Sequence, residues 1–370
     1  MLHRRGRRRP EFSIMVAPKV SVVVRSIGRP TLVPALASIA RQQYPSVEVV
    51  LIAATGGAHP PIRDACGPHP ILAVRSQARL SRAEAADAGI RAATGDWITF
   101  LDDDDEMLPG HLVGLVASVA AMPEARAVTG RALATFRDGR TKPWGQRFAL
   151  AELYQRNFVH LSTLLFHRSL LSAGIAFDRG LPIHEDWDFA LQVAQHTCFA
   201  DWPRATFRWN ADAGTSGAGG GTNVDDAFFA KYRDHVYAKW AAHRDALSER
   251  CAGFLGRAAA AAAAGRLDEA SACAREVLAF SQNDPHALNL LAMVAIREGN
   301  NAHAIDQQVL AVEVRPYDAD LRYNLANALL AAGNIEGGRN ALGEALRLDP
   351  AHTRARQKMS QLGAIAPHWL

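Results

Sequence analysis

A mostly parallel α/β domain followed by an all-α repeat array is the fold class predicted by this 370-residue sequence. Three observations predict it. Short β-branched runs alternate with helical periods across the first hundred residues, a pattern that builds a parallel sheet covered by helices. The run Trp97-Ile98-Thr99-Phe100-Leu101 leads straight into five carboxylates, Asp102 to Glu106. Gly265, Gly299 and Gly333 are spaced 34 residues apart twice in succession, and a fixed period of that size marks a repeat array.

Each element follows from its local pattern. Residues 20–24, Val-Ser-Val-Val-Val, form a β-branched run suited to a strand buried on both faces. After a polar turn at 25–30, residues 31–43 show helical spacing, with Thr31 as the expected N-cap and Pro34 tolerated in the first turn. Strands are expected over 47–52 and 71–74. Residues 81–93 form a helix whose Ser81 and Glu84 have capping-box spacing, with Gly95 near its C-terminal end. The strand at 97–101 follows, then a helix over 109–121 and a strand over 127–136 that ends at an Asp138-Gly139 turn. Residues 142–156 carry no clear period. A strand is expected over 160–166, a short helix over 168–173, and a helix that runs from the acidic segment at 184–189 to about His196. The Gly-, Ser- and Thr-rich segment 211–223 reads either as a connector or as a loop closing over a site.

From about residue 251 the repeat takes over. Leu291-Ala292 and Leu325-Ala326 share one phase, as do Ala270 and Ala304, and Pro316 and Pro350. Each unit reads as helix, Gly turn, helix and Pro-marked exit, with residues 353–362 as a helix capping the last unit. The expected organisation is a basic extension over 1–18, an α/β domain over 19–240, a helical linker over 241–250, three repeats over 251–352, and a capping helix and tail over 353–370.

Composition narrows the function classes. Apolar residues make up 49% and charged residues 21%, which describes a folded globular chain. The formal charge of +4 resides entirely in residues 1–14, so the remainder is neutral and nucleic acid is not an expected partner. That Arg-rich stretch is expected to be disordered, or to precede the true start at Met15; at most it touches anionic lipid. It lacks the apolar core of a secretory signal, and no run approaches the length of a membrane span. Cys66, Cys198, Cys251 and Cys273 lack metal-type or redox-type spacing. A cytoplasmic protein is expected, with peripheral contact at the inner membrane face as the alternative.

The acidic run has two readings. It is a solvated turn capping the next helix, or a set of oxygen ligands for a hard divalent cation, whose charge would relieve the repulsion. Its place favours the second, because ligands of open α/β sheets bind at the carboxyl ends of strands.

Residues 20–30, the stretch from Ser81 to Asp105 and the segment His184-Glu185-Asp186-Trp187-Asp188-Phe189 together resemble three ordered motifs of the family 2 glycosyltransferases of the GT-A fold. These are the first strand with its nucleotide-binding turn, the approach to the DxD motif, and the ED motif. The resemblance covers about residues 19–240, and residues 251–352 resemble three tetratricopeptide repeats. It implies a Mn²⁺- or Mg²⁺-dependent, inverting transfer of a sugar from a nucleotide-sugar donor to a hydroxyl on a surface glycan, a lipid-linked precursor or a protein. By resemblance Asp104 is the principal metal ligand. Asp102 contacts the ribose or the metal, Asp105 orients the set, and Ser26 and Arg82 serve the donor. Asp186 is the base that the acceptor hydroxyl needs, with Glu185 orienting it or binding the acceptor. His184 is an acceptor contact or a structural histidine, and Trp187 a packing residue with a sugar-stacking edge. Glu185 and Asp186 also fit a plain helix-start pair.

Departures from the family pattern bear on the donor. Ala53-Ala54 stands where acidic residues usually read the base, Asp87 replaces a common Asn, and Arg25 replaces a common Pro. The alternative function is a degenerate nucleotide-sugar-binding domain whose repeats scaffold a protein partner. A nucleotidyltransferase shares the metal logic but leaves the Glu185–Asp186 pair unexplained.

Overall fold

The computed structural model describes residues 17–212 and 226–364. The α/β part runs β1 (Val20–Ser26), α1 (Leu32–Ala40), β2 (Val47–Ala53), β3 (Ala65–Cys66), β4 (His69–Arg75), α2 (Arg82–Ala92) and β5 (Trp97–Asp102). It continues through β6 (Glu106–Met107), α3 (His111–Ala120), β7 (Ala127–Thr135), β8 (Thr141–Trp144), α4 (Leu150–Leu153), β9 (Leu164–His167), α5 (Glu185–Ala194) and β10 (Phe199–Asn210). Then come only helices: α6 (Asp226–Lys239), α7 (Ala241–Ala263), α8 (Leu267–Phe280), α9 (Pro285–Arg297), α10 (Asn301–Val314), α11 (Ala319–Ala331), α12 (Ile335–Leu348) and α13 (Thr353–Ala364). The segments 1–16 and 213–225, which hold the basic extension and most of the Gly-rich stretch, lie outside the described residues.

The strands form one mixed sheet in the order β3-β4-β2-β1-β5-β9-β7-β10-β6, with β8 paired to β7. β1, β2, β4 and β5 are mutually parallel, and β7 is parallel to β10, whereas β9 runs antiparallel to both β5 and β7. β1 is buried along its whole length because helices cover both faces. Its alternate residues feed two cores: Val23 packs with Phe100, Phe166 and Phe189, and Val24 packs with Leu101, Leu112 and Phe207. Gly89 lets α2 lie directly on β1, since a Cβ there would stand 2.1 Å from Val23 Cγ1.

Several local expectations are corrected. Thr31 adopts a helical backbone and makes no side-chain cap, so α1 starts without one. The capping box at Ser81 and Glu84 is present, but α2 ends at an extended Ala93. Gly95 instead permits a close chain crossing, where a Cβ would meet the Ser21 backbone nitrogen at 2.7 Å. The strand placed at 160–166 begins only at Leu164, after a 3₁₀ turn over Leu161–Thr163. Residues 241–250 are helical and run on unbroken as the first turns of α7.

The helical part follows the period closely. Gly265, Gly299 and Gly333 all take φ of +75° to +78°, ending α7, α9 and α11 so that α8, α10 and α12 fold back. Asp284 and Asp318, and Asn300 and Asn334, accept N-cap hydrogen bonds from their helices' first turns at the same 34-residue spacing. The array packs against the α/β part. Gln282 brackets Phe199, donating to its carbonyl at 2.7 Å and accepting from its amide at 2.9 Å. Arg147 pairs with Glu313 at 2.6 Å and Arg315 with Glu152 at 2.7 Å. The four cysteines are unpaired. Among the described residues no helix is long and apolar enough to cross a membrane.

Candidate active site

The carboxyl ends of β1 and β5 and the N-termini of α2 and α5 converge on one charged cluster. Arg25 and Asp102 are direct register partners across β1 and β5. The guanidinium of Arg25 forks onto Asp102, with Nε–Oδ1 at 2.7 Å and Nη2–Oδ2 at 2.8 Å. Its third nitrogen donates to Glu185 Oε1 at 3.0 Å, and Arg82 Nε donates to the same oxygen at 2.8 Å. Glu185 is fully buried, and its other oxygen has no partner among the described residues. Burial alone would raise the Asp102 carboxyl, but Arg25 and Arg82 hold it well below its ordinary range. Removing one partner from such a buried network costs roughly 3–5 kcal/mol.

The run after Asp102 is not a solvated turn: Asp103 and Asp105 are 1% and 3% exposed. Asp103 folds back on the turn after β1. It accepts from Ser26 Oγ and the Ile27 amide, each at 2.8 Å, and pairs with Arg29 at 2.6 Å. The Ser26 hydroxyl also lies 2.8 Å from His59 and accepts from the Gly28 amide, so it is engaged in holding the turn. Asp105 accepts from the Asn210 amide at 2.9 Å, and the Asn210 side chain holds the Asp104 carbonyl. Burial and then neighbouring carboxylates push Asp104 up to about 6 and Asp105 well above its ordinary value. One oxygen from each of Asp102, Asp104 and Asp105 lies within 4.8 Å of the others. An all-carboxylate set whose members repel one another fits a hard divalent cation.

At the head of α5, burial and the Glu185 charge raise Asp186 to about 6, opposed by Arg82. Asp186 Oδ1 accepts from the Trp187 amide at 2.7 Å and from Asn157 Nδ2 at 3.2 Å. The helix-start reading therefore covers only part of this group. Asp188, the third carboxylate of that turn, is structural: it is fully buried against Lys239 and Trp240 of the helical part. His184 takes a left-handed backbone at φ 64°; its ring is hydrogen-bonded to the Phe229 backbone, and its buried Nε2 has no partner among the described residues. Trp187 is 2% exposed and donates its indole N–H to the Leu153 carbonyl at 2.7 Å. It packs beneath the site, at the edge of the cavity wall.

Two cavities of about 320 Å³ each meet at Arg82, Asp102 and Asp104. One is floored by the β1 turn and the head of α2, and Ala54 with Leu80 makes part of its wall. The other is lined by Asp105, Glu185, Asp186, His184, Asn157 and His160, with Trp144 and Trp209 packed edge to face at 5.5 Å. The first lacks a carboxylate at Ala53-Ala54, as the sequence indicated; Arg29 and Arg79 line it instead. Sequence reasoning missed Arg25 as a site residue, along with Asn157, His160, Asn210 and the Trp144–Trp209 pair. The only available signal was the Arg25 departure. Asp87 is structural, since it accepts from the Phe177 amide at 3.0 Å.

The family described as Glycosyl transferase family 2 matches residues 21–177, and a tetratricopeptide repeat matches residues 319–352. The glycosyltransferase YwdF of Bacillus subtilis is 26% identical over 183 residues, covering 48% of this chain and 68% of its own. A PGL/p-HBAD biosynthesis glycosyltransferase of Mycobacterium bovis is 27% identical over 198 residues, covering 50% of this chain and 72% of its own. Among solved structures, S. aureus TarS 1–349 in complex with UDP superposes with a TM-score of 0.42 at 14% identity, covering 93% of this chain and 88% of that one. The chain thus carries a family 2 glycosyltransferase domain over residues 21–177 and a tetratricopeptide repeat over residues 319–352.

Proposed function

We propose that this enzyme moves a sugar from a nucleotide-sugar donor to a hydroxyl acceptor with inversion, using a divalent cation. The observation that carries the reading is a single cavity lined on one side by Asp102, Asp104 and Asp105 and on another by Glu185 and Asp186. The donor nucleotide would lie in the adjoining cavity, between the β1 turn and the head of α2, and its diphosphate would reach Arg82 at the junction. A Mn²⁺ or Mg²⁺ ion on the acidic cluster would supply the charge that offsets the leaving diphosphate. Arg82 adds a fixed positive charge there, because it is tied to Glu185 rather than free to swing. Asp186 accepts the acceptor hydroxyl's proton at its carboxylate. Asn157 and the Trp187 amide orient it, and its raised pKa brings its basicity close to neutral pH. Glu185 Oε2 offers a buried hydrogen-bond acceptor beside it. The deprotonated acceptor oxygen bonds to the anomeric carbon in line as the bond to the diphosphate breaks, so no glycosyl-enzyme bond forms and the centre inverts.

UDP-sugars are candidate donors by analogy with the UDP complex of TarS, although Ala53-Ala54 offers no carboxylate to a uracil edge. The repeats would serve a protein partner or a protein-borne acceptor. They carry a largely apolar groove of about 460 Å³ between α7 and α9, with Leu255, Leu290 and the half-exposed Met293 in its wall. A donor screen with Mn²⁺ and with EDTA tests the reading. Metal-dependent turnover or hydrolysis of a nucleotide sugar is expected; its absence across the common donors favours the degenerate binding domain.

A further inference from the structure

The strands and helices bring six carboxylates together, Asp102 to Asp105 with Glu185 and Asp186, against three guanidiniums, Arg25, Arg29 and Arg82. The pairing is uneven. Arg29 takes Asp103 at 2.6 Å and reaches Asp104 at 3.2 Å, while Arg82 takes Glu185. Arg25 occupies both oxygens of Asp102 in a planar fork, the strongest geometry a guanidinium makes with a carboxylate. The fork is 6% exposed on the arginine side and is anchored at its far end by the buried Glu185. Swinging away would strip both Asp102 oxygens of their fork and leave the buried Glu185 with Arg82 alone. A divalent cation on Asp102 would therefore sit against a fixed positive charge and compete for oxygens already bonded.

We infer that Arg25 is a positioning residue that withdraws Asp102 from the metal and binds it to Glu185, leaving Asp104 and Asp105 to hold the divalent cation. This rests on the metal-dependent reading above and revises the ligand set that the family resemblance implied, Asp102 and Asp104. Asp105 favours it from the other side. Its carboxylate accepts from the Asn210 backbone amide, and among the described residues no guanidinium pairs with it. Asp102 then acts as the link between the donor side and the head of α5, holding Arg25 where it fixes Glu185 next to Asp186. That link joins β1, β5 and α5 without passing through the metal.

The test is Mn²⁺ binding to the full chain by calorimetry and electron paramagnetic resonance, with the metal alone and no donor. The wild type should bind, and Asp104→Asn and Asp105→Asn should each weaken binding at least about tenfold. Asp102→Asn, which keeps the side-chain shape, should leave affinity within about threefold. Arg25→Met fills similar volume without charge and frees a third carboxylate, so it should tighten binding by about tenfold. Circular dichroism checks the fold of each variant, and if Arg25→Met does not fold, the Asp102→Asn result alone decides. Loss of Mn²⁺ on Asp102→Asn as deep as on Asp104→Asn overturns the assignment. So does a folded Arg25→Met protein with unchanged or weaker affinity, or a wild type that binds no Mn²⁺. Donor turnover by the wild type is measured in parallel: turnover with a failed binding pattern removes this ligand assignment alone, whereas no turnover removes the transferase reading itself.

Discussion

Replacing Asp186 by Asn should stabilise the protein while abolishing transfer. The Asn oxygen can still accept from the Trp187 amide and from Asn157, so both hydrogen bonds of the native Oδ1 survive. What disappears is a negative charge held in a buried setting beside Glu185. The rise from 3.8 to about 6 corresponds to about 3 kcal/mol at 1.4 kcal/mol per tenfold, and water in the cavity lowers the expected gain to about 1–3 kcal/mol. The sign follows from linkage. An acid whose pKa is higher in the folded state destabilises that state most when ionised, so the gain is full above about pH 6 and fades as pH falls toward 4. Thermal unfolding in EDTA from pH 4 to 8 measures it, with an expected increase of roughly 2–8 °C at pH 7.5 that shrinks below pH 6. Transfer should fall by about 10²–10⁴-fold in the same protein. A variant that is less stable at pH 7.5, or equally stabilised at every pH, refutes the electrostatic reasoning. Normal transfer refutes the base assignment.

Three other outcomes follow from the same geometry. The rate of the wild type should drop as pH falls through about 6, because Asp186 accepts a proton only when ionised; a flat kcat/KM between pH 5 and 7.5 argues for another base. Gly89→Ala drives a methyl into the fully buried Val23 and should cost about 1–3 kcal/mol in urea unfolding, and a neutral result would mean that α2 does not lie this close to β1. Gln282→Ala removes both bonds to the Phe199 backbone and should cost about 1–3 kcal/mol, read as a separation of the unfolding of the two parts; unchanged cooperativity would show that the junction rests on other contacts.

The parts legible in the sequence were those with a local signature. Helix α2 announced itself through Ser81 and Glu84, and both bonds of the capping box are made. The repeat array was legible because every unit solves the same problem with the same residue, a glycine at positive φ between paired helices. The long strand β10 was not legible. Pro203 and a run of mixed Trp and Arg break its alternation, and its pairing with β7 slips between Asp201 and Phe207. With β10 went Trp209 and Asn210, which line the cavity that also holds Asp186. Arg25 looked like a simple departure from a family pattern because its partner lies 77 residues away. Only the adjacency of β1 and β5 in the sheet turns the two into register neighbours. The left-handed His184 gives no signal either, since a non-glycine residue at φ 64° is held there by its surroundings.

The short helix α4 explains why the repeats are part of the enzyme's architecture rather than a tethered attachment. On one side Leu153 presents its carbonyl to Trp187, the residue directly after the proposed base. On the other, the Leu150 amide donates to the Gln282 carbonyl, and Glu152 pairs with Arg315 of the repeats. Just before α4, Phe148 stacks on Phe199 at 4.0 Å, and its carbonyl accepts from Asn283, a residue held at φ 57°. A polar, partly buried junction of this kind loses its partners all at once when the repeats are removed. Phe199 would lose both bonds to Gln282, and the nearly buried Glu152 would lose Arg315. Such losses cost more than surface ion pairs do, because the groups left behind stay desolvated. The same wall that seats Trp187 beneath Asp186 is therefore completed by the repeat array.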